Sequence, residues 1–200
     1  MATLEFFFDC SSPWTYLAFT RIQPIAARTG ADIVWKPILV GGVFNAVNKD
    51  VYERRANPDD RKAPYGAKDL QDWARLVGLK IVMPPPVFPV RATLAMRCAL
   101  AAQEEGKVVE FSRHCFEAYW SLSKDISLPD VITEVCDEAD LDGGHILERA
   151  QAGEIKDRLR ANTDEVIARG GFGSPTMFVN GSDMYFGNDR MELVEAALAR

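Results

Sequence analysis

The residues best suited to chemistry are Ser12-Pro13-Trp14-Thr15, which follow the apolar run Phe6-Phe7-Phe8. The run predicts a buried strand, and the residues after it predict a helix. Ser12 suits the N-cap, because its hydroxyl oxygen can accept a backbone N–H of the first turn, and Pro13 suits the first helical position. A helix start carries partial positive charge and free N–H donors, which favour a bound anion. The sequence therefore predicts an anion site that includes Ser12.

The anion best matched to this position is a thiolate. Enzymes that exchange disulfides place the first cysteine of a Cys-x-x-Cys motif at such a helix start, where its thiolate is stabilised. Here Ser12 and Thr15 occupy both cysteine positions, which excludes disulfide exchange at this site. We infer that the thiolate arrives with a bound ligand. The alternative is that Ser12 only caps the helix.

A second unusual stretch, Gly173-Ser174-Pro175-Thr176, comes directly before a short predicted strand. Proline is unusual in a central strand. It suits this position if the Ser174–Pro175 bond is cis, which turns the chain sharply and exposes the backbone groups of Ser174. The alternative is an ordinary loop-ending proline, since only about 5–6% of X–Pro bonds in folded proteins are cis. The combination with Ser12-Pro13 favours the cis bond.

The elements that position these residues are predicted from hydrophobic periodicity. Strands over Leu4–Phe8 and Ile33–Trp35 flank a helix from Pro13 to Arg28, which Gly30 ends. A right-handed crossover makes these two strands parallel. The segment Leu39–Pro64 is predicted to be an irregular loop that covers or builds a site.

The rest of the chain is predicted to be helical until a final hairpin. Six helices are expected, over 67–77, 90–105, 108–121, 129–139, about 144–153 and about 154–169. The run 84–89 is a stiff proline-rich connector. Strands at Thr176–Val179 and Met184–Phe186 flank the turn Asn180-Gly181, and Asn188 or Asp189 is expected to cap a last helix. We therefore predict an α/β, thioredoxin-like fold (βαβ…ββα) at 1–65 and 170–200, with a large inserted all-helical domain at 66–169.

Composition narrows the function classes. The net charge is −6 with scattered basic residues, which argues against nucleic-acid binding. No apolar run approaches the ~20 residues of a membrane helix, and the N-terminal residues do not resemble a secretion signal, so we expect a cytoplasmic protein without membrane contact. The four cysteines and two histidines lie in no metal-ligand spacing. We predict no metal site and expect the cysteines to be buried small hydrophobes.

Taken together, these residues resemble the 2-hydroxychromene-2-carboxylate isomerases and the kappa-class glutathione transferases, which are themselves related to DsbA-type disulfide oxidoreductases. The resemblance covers nearly the whole chain and matches in order at five stretches: Phe6–Ala18, Lys36–Asn48, Lys62–Trp73, Gly173–Phe178 and Phe186–Glu195. One departure is Ser174, since the family usually has a branched aliphatic residue before the cis-proline.

The resemblance implies glutathione as cofactor and assigns roles to residues. Ser12 would hydrogen-bond the glutathione sulfur as the catalytic residue, and the backbone of Ser174 would pair with the cysteinyl part. Asn48 would contact the cofactor, and the run Gly187-Asn188-Asp189-Arg190 would hold the γ-glutamyl end. The residues expected near the second substrate are Trp14, Lys62, Tyr65 and Phe88. Lys62 is equally well explained as a solvated surface residue.

The implied activity is a glutathione-dependent isomerisation that interconverts 2-hydroxychromene-2-carboxylate and trans-o-hydroxybenzylidenepyruvate. The partners expected are therefore a small aromatic carboxylate and, by resemblance, a second copy of the chain in a homodimer. Two alternatives remain. The first is a kappa-class-like transferase that acts on another electrophile, and the second is a redox-inactive binding module with a thioredoxin fold.

Overall fold

A four-stranded sheet organises the computed structural model, which describes residues 2–200. Strand β1 (Thr3–Phe8) pairs in parallel with β2 (Asp32–Pro37) and antiparallel with β3 (Thr176–Val179). Strand β4 (Asp183–Phe186) extends the sheet beyond β3, giving the order β2-β1-β3-β4. The predicted strands, the parallel first pair and the final hairpin are confirmed.

Helix α1 (Pro13–Thr29) connects β1 to β2 as predicted. The Ser12 side chain caps its start, and Gly30 ends it with a φ of 66°, a left-handed conformation that glycine adopts without a steric penalty. Between β2 and β3 the described chain is helical, in the order α2 (Val40–Val47), α3 (Asp50–Ala56), α4 (Lys62–Leu76), α5 (Thr93–Glu104), α6 (Val108–Phe116), α7 (Pro129–Glu138), α8 (Gly143–Arg149) and α9 (Gly153–Ala168). A π-helical segment, Glu117–Ser121, follows α6, and helix α10 (Met191–Leu198) follows β4 after a 3₁₀ turn.

Side chains of β1 alternate between two apolar layers because successive residues of a strand point to opposite faces. Phe6 and Phe8 lie in the main core with α1 and the inserted helices. Phe7 lies in a second cluster. That cluster includes Ile38 from the chain between β2 and α2, Val43 of α2 and Val166 of α9. The sheet is therefore covered on both faces, and the C-terminal end of β1 leads directly to Ser12.

Two of the predictions made from the sequence are wrong. The predicted loop 39–64 contains α2, α3 and the first turn of α4, and the predicted cap of the last helix by Asn188 or Asp189 is absent. Asn188–Arg190 forms a 3₁₀ turn instead, and α10 begins at Met191 without a side-chain cap. Helix α4 also begins at Lys62, before the proposed domain boundary at 65/66, and both domain boundaries stay predictions. No helix within residues 2–200 has the combined length and apolarity that crossing a membrane requires.

Candidate functional site

Ser12 lies buried at the start of α1, directly after the turn that leaves β1. Its Oγ accepts a hydrogen bond from the Thr15 N–H at 3.2 Å, as an N-cap does, and donates its proton to the Ser174 carbonyl at 3.1 Å. The Ser12 N–H donates to the Asp9 carbonyl at 3.1 Å. Two hydrogen bonds thus hold the Ser12 oxygen at a helix start, where an anion is favoured.

Ser174 precedes a cis proline, Pro175, as predicted. Its side chain contributes more than the sequence suggested: Oγ accepts the Asp9 N–H at 3.0 Å and lies 2.7 Å from Thr15 Oγ1. Within residues 2–200 the Ser174 N–H donates no hydrogen bond. That N–H is therefore a backbone donor still available to a ligand.

The buried carboxylate of Asp9 stabilises the turn that leads to Ser12. It accepts from the Ser11 N–H and hydroxyl through Oδ1, each at 2.8 Å, and from the Val40 N–H through Oδ2 at 2.8 Å. Burial raises the pKa of Asp9 above its usual value, and the three hydrogen bonds to the carboxylate oppose that rise. Asp9 connects the start of α1 to the start of α2.

A cavity of about 720 Å³ opens beside Ser12, within the size range of small-molecule sites (about 300–1,000 Å³). Its walls are mostly apolar and aromatic. They come from the α1 start, from α2 and α3, from the proline-rich segment before α5 and from the chain beside Ser174; the aromatic residues among them are Trp14, Phe44, Tyr52, Phe88, Phe172 and Phe186. We call it the large chamber.

A second cavity of about 320 Å³ is also lined in part by Ser174. The residues that line it are Trp14, Asp69, Trp73, Ser174, Pro175, Phe186, Gly187, Asn188 and Asp189. We call it the small chamber. Trp14, Ser174 and Phe186 line both chambers, and the Ser174 carbonyl accepts the Ser12 hydroxyl proton.

The 3₁₀ turn that walls the small chamber is closely fitted. Gly187 has a φ of 99°, and a Cβ there would lie 2.8 Å from Asp189 Oδ1, so a side chain would strain the backbone and displace the Asp189 carboxylate. Arg21 of α1 donates to the Asn188 carbonyl at 2.7 Å and stacks on Trp73. The amide Oδ1 of Asn188 is buried without a hydrogen-bond partner among residues 2–200, and unsatisfied buried acceptors are uncommon in folded proteins.

The structure brings most of the predicted site residues to these two chambers. Ser12, Trp14, Asn48, Phe88 and Ser174 line the large chamber, and Asn48 Nδ2 donates to the Phe172 carbonyl at 3.0 Å. Gly187, Asn188 and Asp189 line the small chamber.

Three predicted site residues line neither chamber. Lys62 and Tyr65 lie on α4 and are exposed, and Arg190 pairs with Asp189 at 2.8 Å beside the small chamber. No observation on these three assigns or removes a role.

Sequence reasoning missed Arg54 and Arg55, which line the large chamber from α3. The signal available was a pair of adjacent arginines inside the segment that was expected to cover a site. Treating that segment as a loop hid the short helix α3, which brings both positions to the cavity.

The chain supplies no reactive thiolate of its own. All four cysteines are buried and free of disulfides. Burial raises the pKa of Cys10 and Cys98 above the usual thiol range and that of Cys136 to about 12, so these thiols stay protonated and inert. The prediction that the cysteines are buried is confirmed. Within residues 2–200 no group of three or more His, Cys, Asp or Glu side chains is placed to hold a metal ion.

Comparisons with known proteins agree with the fold. The family profile described as a DSBA-like thioredoxin domain matches residues 3–199. The 2-hydroxychromene-2-carboxylate isomerase of Pseudomonas putida is 30% identical over 98% of this chain and 94% of that protein. Human glutathione S-transferase kappa 1 is 28% identical over 96% of this chain and 88% of its own length. A solved structure of a 2-hydroxychromene-2-carboxylate isomerase superposes with a TM-score of 0.80 at 27% identity, covering 99% of this chain and 95% of that one.

Proposed function

Because this chain belongs to the DSBA-like thioredoxin family, with the 2-hydroxychromene-2-carboxylate isomerases and kappa-class glutathione transferases as relatives, we propose that it is a glutathione-dependent isomerase. Its proposed substrate pair is 2-hydroxychromene-2-carboxylate and trans-o-hydroxybenzylidenepyruvate. The observation that carries the proposal is that two chambers share Ser174, whose carbonyl accepts the Ser12 hydroxyl proton. One chamber suits a cofactor and the other an aromatic substrate.

The small chamber fits the cofactor's γ-glutamyl end, which carries both an amino group and a carboxylate. Asp189 and Arg190 present opposite charges beside it. The unpartnered Asn188 Oδ1 provides a buried acceptor in the same wall, where an N–H group can satisfy it. These groups match the polar end of glutathione better than they match an apolar ligand.

The chemistry that bound glutathione supplies is reversible thiolate addition to the conjugated substrate, which permits ring opening and bond rotation before the thiolate is expelled. Ser12 prepares for that charge. Its hydroxyl proton, now on the Ser174 carbonyl, has only to turn toward the sulfur, while the Thr15 N–H keeps Oγ in place. A hydrogen bond to the charged form lowers a thiol pKa, and so does the helix start.

The Ser174 backbone can replace the hydrogen bond that it loses when the Ser12 hydroxyl turns toward the sulfur. Once the Ser12 proton leaves it, the Ser174 carbonyl is free to accept from the cysteinyl N–H of the cofactor, and the Ser174 N–H is free to donate to the cofactor's carbonyl. Hydrogen bonds are then exchanged rather than lost, which keeps the cost of reorienting Ser12 low.

The large chamber is the proposed substrate site, with Trp14 and Phe88 in its walls. The roles of Lys62 and Tyr65 and the homodimer remain proposals that rest on family resemblance. A kappa-class-like transfer is the second candidate, favoured by the 28% identity to the human enzyme. It differs in that glutathione would remain on the product.

The test is the ultraviolet spectrum of 2-hydroxychromene-2-carboxylate mixed with the protein, with glutathione, with S-methylglutathione and with neither. We expect conversion to the open benzylidenepyruvate only in the mixture of protein and glutathione, because the S-methyl derivative has no thiol to ionise. We also expect Ser12→Ala to slow the conversion by about tenfold or more, since each unit of lost pKa depression is worth ~1.4 kcal/mol.

The outcomes separate the candidates. Glutathione consumed in proportion to product would favour the transferase. Glutathione binding by calorimetry without turnover on this substrate would contradict the isomerase assignment, and no glutathione binding at all would favour a redox-inactive binding module.

A further inference from the structure

The charged side chains that line the large chamber are all positive. Two arginines, Arg54 and Arg55, line it, and no aspartate or glutamate does. Within residues 2–200 neither guanidinium forms an ion pair, although the chain as a whole has a net charge of −6. The chamber is therefore a local cationic site in an acidic protein, and it favours an anionic ligand.

Arg55 is held in a defined place at this chamber. Its guanidinium carbon lies 5.7 Å from the centroid of the Phe44 ring on α2 and 5.5 Å from that of the Phe88 ring in the proline-rich segment. The two rings belong to different walls, so Arg55 reaches across the chamber between them. Stacking uses the faces of a guanidinium and leaves its N–H edge free for a carboxylate.

The rest of the chamber fits an aromatic body. Phe172 and Phe186 lie with ring centroids 4.4 Å apart, and Trp14 lies beside the Ser12 position. An aromatic acid with its ring between these walls would present its carboxylate to Arg55 and its conjugated carbons to Ser12.

We propose that Arg55 is the specificity-determining residue of the large chamber, where its guanidinium binds the carboxylate of an aromatic acid. The inference rests on the proposed function only in taking this chamber as the substrate site. Arg54 contributes to the positive field, but no ring among the described residues holds its guanidinium as Phe44 and Phe88 hold that of Arg55.

The test is calorimetric binding of trans-cinnamate and of its neutral counterpart trans-cinnamamide, with and without S-methylglutathione. Arg55→Gln is expected to weaken cinnamate binding by about tenfold or more, because a charge-assisted hydrogen bond is lost, and to leave cinnamamide binding unchanged. Arg55→Lys keeps the charge without the planar fork and is expected to fall between. For the wild type, affinity for cinnamate should fall as salt rises, more steeply than for Arg55→Gln.

Two further variants sharpen the assignment. Arg61→Gln removes an exposed arginine that lines neither chamber and should bind cinnamate as the wild type does. Arg54→Gln should weaken binding less than Arg55→Gln. Because α3 contains no buried residue, neither α3 variant is expected to impair folding.

Specific results would overturn the proposal. One is that Arg55→Gln binds cinnamate as tightly as the wild type, and another is that Arg54→Gln loses as much cinnamate affinity as Arg55→Gln. The others are that Arg55→Gln loses cinnamate and cinnamamide affinity equally, and that the wild type binds no cinnamate with or without S-methylglutathione. Glutathione binding by Arg55→Gln is measured separately. If glutathione does not bind but cinnamate binding depends on Arg55, the proposed function fails and this inference stands.

Discussion

The Ser12 hydroxyl has a single proton, and that proton is directed to the Ser174 carbonyl. The same oxygen accepts from the Thr15 N–H, which is the contact that an N-cap side chain makes. Catalysis by Ser12 requires that only the donated bond be redirected. The hydroxyl is therefore both a structural cap and a movable donor, which means that its two proposed roles do not compete.

Ser174 provides a prediction about stability and binding. Ser174→Ala should lower the free energy of unfolding by about 1–3 kcal/mol, because the buried Asp9 N–H and the Thr15 hydroxyl lose their shared partner. Glutathione affinity should change by less than about threefold, since the proposed contacts are made by the Ser174 backbone. Denaturant unfolding and calorimetry check the two parts.

A matched control is Ser182→Ala, an exposed position in the turn between β3 and β4, which should change neither quantity. Unchanged stability in Ser174→Ala, or loss of glutathione binding in a folded Ser174→Ala, would contradict this reading of the residue.

Among the elements, α2 explains why local sequence reasoning failed between residues 39 and 64. Gly41-Gly42 and Asn45 lower helix propensity. The orphan N–H groups at the start of this helix are satisfied from a distance, by Asp9 Oδ2 at Val40 and by Thr163 Oγ1 at Leu39. Neither partner is local in sequence, so no capping signal precedes the helix.

The beginning of α4 had a readable signal. Asp59 Oδ1 accepts the N–H groups of Arg61 and Lys62 at 2.9 and 2.8 Å, a capping pattern that aspartate commonly provides. Pro64 lies within the first turn of α4, where the absence of an N–H costs nothing. A proline at this point of the sequence is equally compatible with the end of a loop and with a helix start.

The contact between β1 and the end of α9 gives a pH-dependent prediction. Arg169 donates to both oxygens of Glu5, at 3.0 and 2.6 Å, and Lys36 lies 3.2 Å from the same carboxylate. The Arg169 hydrogen bond is the main cause that lowers the pKa of Glu5 from its usual value of 4.5. Since the folded pKa is below the unfolded one, this stabilisation is present above pH 4.5 and is lost as pH falls through the folded pKa.

Glu5→Gln should therefore lower the free energy of unfolding near neutral pH by about 1–2 kcal/mol. The difference from the wild type should shrink as pH falls below about 4.5. Glu195→Gln, which removes an exposed partner of Arg28, should have a much smaller effect, because exposed ion pairs are screened by solvent. A Glu5→Gln difference that stays constant across the acid range would contradict the linkage. Denaturant unfolding at several pH values measures all three proteins.

At the scale of the whole molecule, the inserted helices build the site as well as cover the sheet. The π-helical segment after α6 supports both sides of it: Trp120 Nε1 donates to the Cys10 carbonyl next to the α1 start, and the Tyr119 hydroxyl donates to the Val87 carbonyl in the proline-rich wall, each at 2.9 Å. Such π-helical turns are frequent at functional sites. The large chamber thus depends on contacts between distant parts of the chain.

This dependence sets the limit of what sequence reasoning predicted. Ser12, the cis Pro175 and the final hairpin carry local signals, and all are found as predicted. The proposed role of Arg55 depends on its contacts with Phe44 and Phe88, which lie in two other segments, and no local pattern brings the three together. The side-chain role of Ser174 was missed for the same reason, because Asp9 and Thr15 are its partners across the sheet.

The central claim is that Ser12 stabilises a thiolate that arrives with glutathione. The most direct test is to measure the pKa of the bound thiol from the ultraviolet absorbance of the thiolate across a range of pH. The wild type should lower this pKa by about one unit or more from the ~8.5 of a free thiol. Ser12→Ala and Ser12→Gly should both lose most of that shift, and Ser12→Gly does so at a helix-capping cost of only a few tenths of a kcal/mol. An unshifted pKa in the wild type, or a shift retained in both variants, would contradict the account.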